Sequence, residues 1–369
     1  MKRIHGGNVY EVARRLGCAP EDILDFSASI NPLGPPPGLL NALVAAYGRL
    51  QHYPDIHNRT LVDALARRHH VRPEQVVVGN GSTELIYALP RILGVSRVLT
   101  ALPTFTEYVR AFSAAGVEVE RCYGIWENGL QPTAEQIGEH LDRQRPDAVL
   151  VTHPGSPSGT LLSESLRAWL VEETRRRGVA LVVDEVFIDF CEEASFLPHL
   201  AAHPGLVLLR SMTKFYGIPG LRLGYLLASP EIAGAAAGYL PPWSVNTLAQ
   251  EAGAYCLEQL DYRRETLEMV YGERDRLKIA LEGMGGFSVL PGRANYLLVR
   301  MADELPDAPA LRDALLRRER VLIRECASFD GLTPRDFRIA VRLPAQNDRL
   351  LSALRRWLQE TDRKSAPPA

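Results

Sequence analysis

The chain has 369 residues, 46% of them hydrophobic, which is more than one small domain needs, so two lobes are expected. Its formal charge of -2, with Lys and Arg scattered among similar numbers of Asp and Glu, excludes a global field for nucleic acid or an anionic membrane. Five cysteines, odd in number and without a CxxC pair, read as reduced thiols and offer no metal site. With no apolar leader after MKRIHGGN and no run of about 18 apolar residues, the expected location is the cytoplasm.

In chain order, HGGN at 5–8 opens a short helix in which Val9, Val12, Ala13 and Leu16 share a face. Asn8 is the expected N-cap with Glu11 as its box partner, and Gly17 the expected stop. The segment LDFSASINPLGPPPG breaks at Pro32, Gly34 and three successive prolines, which marks an extended crossing between lobes. From 38 to about 260 the pattern is α/β. Runs such as VVVG at 76, DAVLVTH at 147, VALVVDE at 179, LVLLRS at 206 and LGYLLAS at 224 read as strands buried on both faces. Amphipathic stretches such as SLRAWLVEETRRRG lie between them, so a mostly parallel sheet covered by helices is expected, with its ligand at the carboxyl ends of the strands. Basic clusters at 67–70 and 175–177 fall late in helical patterns and read as solvated helix ends. A long charged helix from about 262 leads into a lobe of shorter strands and further helices. The expected organisation is therefore an N-terminal segment at 1–37, a large domain at 38–261, a small α+β domain at 262–362 and a disordered tail at 363–369.

Three features fall at expected strand ends. In GNGSTE, Gly81, Ser82 and Thr83 stand between a strand and a helix, where free backbone N–H groups and the helix dipole favour a phosphate. An ordinary capped turn is the competing reading, and Glu84 in place of a third glycine excludes a dinucleotide fingerprint. Asp184 and Glu185 close the strand VALVV, and a carboxylate there needs a cationic or hydrogen-bonding partner; a helix-capping acid is the alternative. In SMTKFYGIPGLRLG, Lys214 lies between apolar runs that carry it inward, where desolvation lowers its pKa and makes a usable nucleophile. Arg222, eight residues on, adds a second fixed cation. Phosphate cradle, buried acid and desolvated lysine together describe a pyridoxal 5'-phosphate (PLP) site.

The order GNGSTE, PTF, HPGSPSG, DEVF, SMTKFYGIPGLRLGY and FRIAVR resembles the fold-type I PLP enzymes of the class I/II aminotransferase superfamily over nearly the whole chain. The resemblance implies a large domain with a mostly parallel seven-stranded sheet, and 1–37 associated with the small domain and the active site. It makes Lys214 the Schiff-base lysine and Asp184 the partner of the pyridine nitrogen, puts Gly81, Ser82, Thr83, Ser211, Thr213 and Arg222 around the phosphate, and stacks Phe105 on the ring. Tyr53 of HYPD resembles the tyrosine that reaches the cofactor phosphate of a neighbouring subunit, which implies a homodimer with a shared active site. Two positions depart from the pattern. Ser156 stands where many relatives have asparagine, and Phe187 where aminotransferases have tyrosine, so the ring hydroxyl is left to Ser156, water or the imine proton.

Within the superfamily, HGGN, LDFSASINPLGPP and DEVFIDF most resemble the threonine-phosphate decarboxylases of cobalamin biosynthesis, near histidinol-phosphate aminotransferases. This implies a phosphorylated amino-acid substrate, with Arg338 on its carboxylate, Arg324 and His5 on its phosphate, and Asn31 beside it. The bond at Cα that stands perpendicular to the cofactor ring is the one that breaks, so the arginines decide between loss of CO2 and transamination. The expected activity is decarboxylation of O-phospho-L-threonine to 1-aminopropan-2-ol phosphate. The alternative is a histidinol-phosphate or related aminotransferase, and a remoter one is the PLP-binding domain of a transcription regulator, which would need a basic helix-turn-helix module ahead of the enzyme-like region.

Overall fold

The computed structural model describes residues 6–365. Its centre is a seven-stranded sheet built from β2 (Val76–Asn80), β3 (Arg97–Leu102), β4 (Glu118–Tyr123), β5 (Ala148–Thr152), β6 (Ala180–Asp184), β7 (Leu206–Ser211) and β8 (Leu223–Leu227). The short β1 (Leu24–Asp25) lies ahead of it in the chain. The spatial order is 2-8-7-6-5-3-4, and only β8 runs antiparallel to its neighbours. β3 and β4 are not among the apolar runs that the sequence displays, because RVLTAL opens on arginine and EVERCY alternates with charge. That alternation suits β4 to the sheet edge, where exposed charges blunt strand pairing.

The pleat sorts the central strands onto two cores. Val149, Val151, Leu181, Val183, Leu206 and Leu208 pack with Leu166 and Leu170 of the Glu164–Arg177 helix. Leu150, Val182, Val207 and Leu209 point the other way, into Leu85, Ile86 and Leu89 of the Ser82–Leu93 helix and into Tyr108 and Phe112. The same alternation separates chain neighbours at the strand ends. Asp184 and Ser211 follow the second face, whereas Arg210 follows the first, where it forms a fully buried ion pair with Glu185 at 2.8 Å.

That pair belongs to a polar cluster behind the sheet. Glu185 also accepts from the Phe196 N–H (2.7 Å) and the Ser195 hydroxyl (2.9 Å). Arg263 bridges Asp189 and Glu192, and Arg68 reaches Glu192. His69, expected on a solvated helix end, is instead buried against Tyr225 (Nε2 to Oη 2.8 Å), and burial with Arg210 nearby holds it neutral.

The second sheet is antiparallel, order 12-13-10-9, from β9 (Phe287–Val289), β10 (Tyr296–Met301), β12 (Arg324–Glu325) and β13 (Asp336–Ala340). Leu297, Val299, Phe337 and Ile339 face a core shared with Leu277 and Leu281 of the Leu260–Glu282 helix and with Leu311, Leu350 and Leu354. Period-2 alternation therefore turns Tyr296, Leu298 and Arg338 to the opposite face, toward the large sheet. The N-terminal segment is tied to this lobe: β1 pairs in parallel with β11 (Val321–Leu322). The Val9–Leu16 helix ends at Gly17 (φ 64°), and Val9, Val12, Ala13 and Leu16 pack in one cluster with Leu316 and Leu322. The Asn8 side chain donates to Glu11 rather than capping the helix itself. The last helix, Pro344–Ser365, runs past residue 362, where the sequence puts the start of the tail.

Candidate active site

The carboxyl ends of β2, β6 and β7 and the entry of β8 converge on one cavity. At the end of β2 the chain turns through Gly81 (φ 77°, ψ 156°) into the Ser82–Leu93 helix, with Glu84 Oε2 accepting from the Asn80 N–H at 2.6 Å to close the turn. Ser82 and Thr83 line the cavity in the first turn, where backbone N–H groups have no acceptor within the helix. β8 passes so close that a Cβ on Gly224 would lie 2.3 Å from the Ser82 nitrogen. Just before it, Arg222 adopts a left-handed conformation (φ 57°) and lays its guanidinium on Gly81, where a Cβ would lie 2.5 Å from Nη2. Ser211 and Thr213 complete the cradle, their hydroxyls 2.8 Å apart. Two hydroxyls, a helix N-terminus and a guanidinium around one space suit a phosphate dianion.

Asp184 closes the cavity floor, 4% exposed, its Oδ1 accepting from the Val186 N–H at 2.9 Å. Burial pushes its pKa up to about 6, against the pull of that N–H, the Tyr108 hydroxyl and Lys214. Such an acid is poised to take a cationic partner. Lys214 faces the same cavity from the Met212–Phe215 turn, its amine lowered to about 8 by burial and by the Arg338 and Arg222 charges, with Asp184 acting in the opposite direction.

The outer wall comes from the small sheet and the N-terminal segment. Arg324 and Arg338 are direct cross-strand partners in β12 and β13, so their side chains share one face, and both line the cavity. Like charges opposed in this way destabilise a sheet unless an anion lies between them. Ser27, Ala28 and Ser29 form the adjoining wall, and the buried Ser29 hydroxyl has no hydrogen-bond partner among the described residues.

Of the residues singled out in the sequence, Ser82, Thr83, Phe105, Ser156, Asp184, Ser211, Thr213, Lys214, Arg222, Arg324 and Arg338 all line this cavity, and Gly81 lies against Arg222 at its edge. Asn31 does not. Its amide is buried and donates to the Phe215 carbonyl (2.7 Å), the Tyr262 hydroxyl (2.8 Å) and Thr266 Oγ1 (2.8 Å), so it fastens the crossing segment to the large lobe instead of meeting substrate. Tyr53 lies outside the cavity, 80% exposed and stacked on Trp243 at 4.8 Å. His5 is outside the described residues. The sequence reading missed Ser29, Tyr108 and Tyr296. Tyr108 stands three residues after Phe105, and their rings meet edge to face at 6.4 Å. Ser29 and Tyr296 carry no local signal.

The residues fit PLP: a desolvated amine, a buried acid in need of a cation, and a cradle that a single Cβ at Gly81 would fill. Comparison with known proteins agrees. The family profile Aminotransferase class I and II matches residues 21–354. The chain belongs to the class I and II aminotransferase family. It is 40% identical over 356 residues to a threonine-phosphate decarboxylase of Salmonella typhimurium, covering 96% of each chain. It is 32% identical to an adenosylcobalamin biosynthesis bifunctional protein of Leptospira interrogans, covering 95% of this chain and 40% of that one. The crystal structure of the histidinol-phosphate aminotransferase from Clostridium acetobutylicum superposes with a TM-score of 0.85 at 29% identity, over 91% of this chain and 99% of that one. The fold is that of the fold-type I PLP-dependent enzymes, and PLP is the cofactor of this family member.

Proposed function

We propose that the chain is a decarboxylase of O-phospho-L-threonine, releasing CO2 and 1-aminopropan-2-ol phosphate, in the cytoplasmic synthesis of cobalamin. The observation that carries this reading is the opposed Arg324–Arg338 pair, two fixed cations on one cavity wall. A substrate with both a carboxylate and a phosphate neutralises both. Histidinol phosphate brings a phosphate but no carboxylate. The 40% identity to the Salmonella decarboxylase supports the substrate class, and the Leptospira relative supports the pathway.

Bound here, PLP supplies an electron sink for bond cleavage at the substrate's Cα. The cradle of Gly81, Ser82, Thr83, Ser211, Thr213 and Arg222 would hold its phosphate, Phe105 would cover its ring, and Ser156 would lie on the side of the ring hydroxyl. Asp184 would hold a proton on the ring nitrogen. Arg338 receives the substrate carboxylate and Arg324 the phosphate. With a pKa of about 8, the Lys214 amine can pass between free base and ammonium near neutral pH, so it can deliver a proton to Cα after CO2 departs.

Leu40, Val44, Tyr47 and Leu50 present an exposed apolar face beside Tyr53, which supports a homodimer in which Tyr53 reaches the partner's phosphate cradle. An aminotransferase is the second reading, because the arginine pair also suits an amino donor with two carboxylates. Purified holoenzyme given O-phospho-L-threonine and histidinol phosphate in parallel separates the two. The proposal requires turnover of the former without any 2-oxo acid, and turnover of the latter alone, dependent on 2-oxoglutarate, would refute it.

A further inference from the structure

We infer that Tyr296 is a positioning residue that sets the plane of the Arg338 guanidinium and thereby decides which bond at the substrate's Cα is broken. The inference rests on the proposed function, and its starting point is a difference between the two arginines. Arg324 is held by hydrogen bonds, Nη1 to the Glu325 carbonyl at 2.9 Å and Nη2 to Ser328 Oγ at 2.7 Å. Among the described residues Arg338 has one long hydrogen bond, Nη2 to the Ser27 carbonyl at 3.4 Å, and its buried Nε has no partner. What it does have is a face: its Cζ lies 4.8 Å from the centroid of the Tyr296 ring. The orientation of Arg338 is therefore set by a cation–π contact rather than by directional hydrogen bonds.

Tyr296 is itself immobile. It is 0% exposed, its hydroxyl donates to the Gly155 carbonyl at 2.6 Å, and its ring meets Phe187 edge-on at 4.9 Å. A Cβ on Gly159 would lie 3.3 Å from its Cε2. The ring thus joins three parts of the site: the sheet that carries Arg338, the loop that carries Ser156, and Phe187, three residues beyond Asp184. An arginine referenced to this ring is referenced to the cofactor's own surroundings. Phe187, where aminotransferases have tyrosine, is what gives the Tyr296 ring an apolar surface to rest on.

The consequence concerns reaction choice. With PLP bound as the electron sink, a carboxylate that Arg338 holds at the cleavable position would leave as CO2, its bonding pair passing to that sink, and Lys214 would return a proton to Cα. A carboxylate free to turn from that position would leave the Cα–H bond to break instead, its proton passing to the Lys214 amine and its electron pair to the same sink. Reprotonation and hydrolysis would then release a 2-oxo acid that keeps its carboxylate, the substrate's nitrogen and the electron pair being retained by PLP.

The test compares native holoenzyme with Tyr296→Phe, which keeps the ring, and Tyr296→Leu, which removes it. Two quantities are read: CO2 and 2-oxo acid formed from O-phospho-L-threonine in a single turnover with enzyme in excess, and the calorimetric Kd for 3-phosphoglycerate, which carries a carboxylate and a phosphate but no amine to react. Tyr296→Phe is expected to keep both within about twofold, whereas Tyr296→Leu raises the 2-oxo acid share and weakens the Kd, each by about tenfold, as expected for loss of the aromatic face. If the leucine variant does not fold, Tyr296→Met, long and flexible but without a π face, reads the same two quantities. A folded leucine or methionine variant that keeps both within twofold of native overturns the inference. No CO2 from the native enzyme would refute the proposed function, and the Kd comparison alone would then decide the role of Tyr296.

Discussion

Gly81→Ala is the smallest change that reaches the cofactor cradle. Two costs follow from the geometry. At φ 77° and ψ 156° the residue occupies backbone space that is almost reserved for glycine, which costs an alanine roughly 1–3 kcal/mol of folding stability. The new Cβ would also lie 2.5 Å from Arg222 Nη2 and 3.1 Å from its Cζ. Arg222 has little freedom to retreat, since its own backbone is left-handed and its Nη1 is bonded to the Pro219 carbonyl at 3.1 Å. The guanidinium must move by roughly an ångström to restore van der Waals contact, which takes it out of hydrogen-bond range of the phosphate. A charge-assisted bond of this kind contributes roughly 1.5–3 kcal/mol, so PLP affinity falls by about ten- to a hundredfold. Gly94→Ala is the control: it is also left-handed (φ 61°), but none of the described residues lies within 4 Å of an added Cβ, so it is strained without touching the cradle. Equilibrium dialysis of PLP against the two variants separates strain from cradle. If Gly81→Ala binds PLP within about twofold of Gly94→Ala, the placement of the phosphate beside Arg222 is wrong.

Three further outcomes follow from the same geometry. Arg338→Gln relieves the repulsion with Arg324 and should raise stability in chemical denaturation by up to about 1 kcal/mol while raising KM for O-phospho-L-threonine at least about tenfold; a destabilised variant with native KM would contradict it. Arg210→Met leaves Glu185 charged and buried, so it should cost about 3–5 kcal/mol, and the double variant Arg210→Met/Glu185→Leu should recover most of that; a double variant no more stable than the single would count against the pair being the cause. Asp184 has its folded pKa raised from 3.8 to about 6, so the folded state holds the proton more tightly and stability is lost as pH rises through that window, by about 3 kcal/mol in protein stripped of PLP. Asp184→Asn should therefore raise the melting temperature of stripped protein at pH 7.5, with the gain shrinking as pH falls toward 4.5, while the loaded variant loses turnover. A gain independent of pH would show that the carboxylate charge is not the source.

What the sequence made legible is what travels on continuous stretches at strand ends. GNGST, DE and SMTK each sit where an apolar run stops, and an open α/β sheet gathers such ends at one edge, so their meeting in one cavity could be reasoned without coordinates. Residues whose role comes from the pleat or from distant pairing were hidden. Arg210 and Ser211 are chain neighbours with opposite duties because alternate side chains face opposite cores, and Tyr296 reads as one more apolar residue in YLLVRM until β10 is seen beside Gly155. Asn31 misled for the converse reason. It stands two residues from Ser29, which lines the cavity, yet its amide is drawn the other way by three acceptors on Phe215, Tyr262 and Thr266. β4 escaped because its charged alternation fits an edge strand as well as a surface loop.

Whether this lysine, acid and arginine pair remove CO2 from a phosphorylated amino acid can be measured with O-phospho-L-threonine labelled with carbon-14 in the carboxyl group, purified holoenzyme and no other amino or oxo acid. One labelled CO2 per substrate consumed is expected through many turnovers, abolished in Lys214→Ala. Label retained in a 2-oxo acid, with turnover only when 2-oxoglutarate is added and glutamate formed in equal amount, would contradict it.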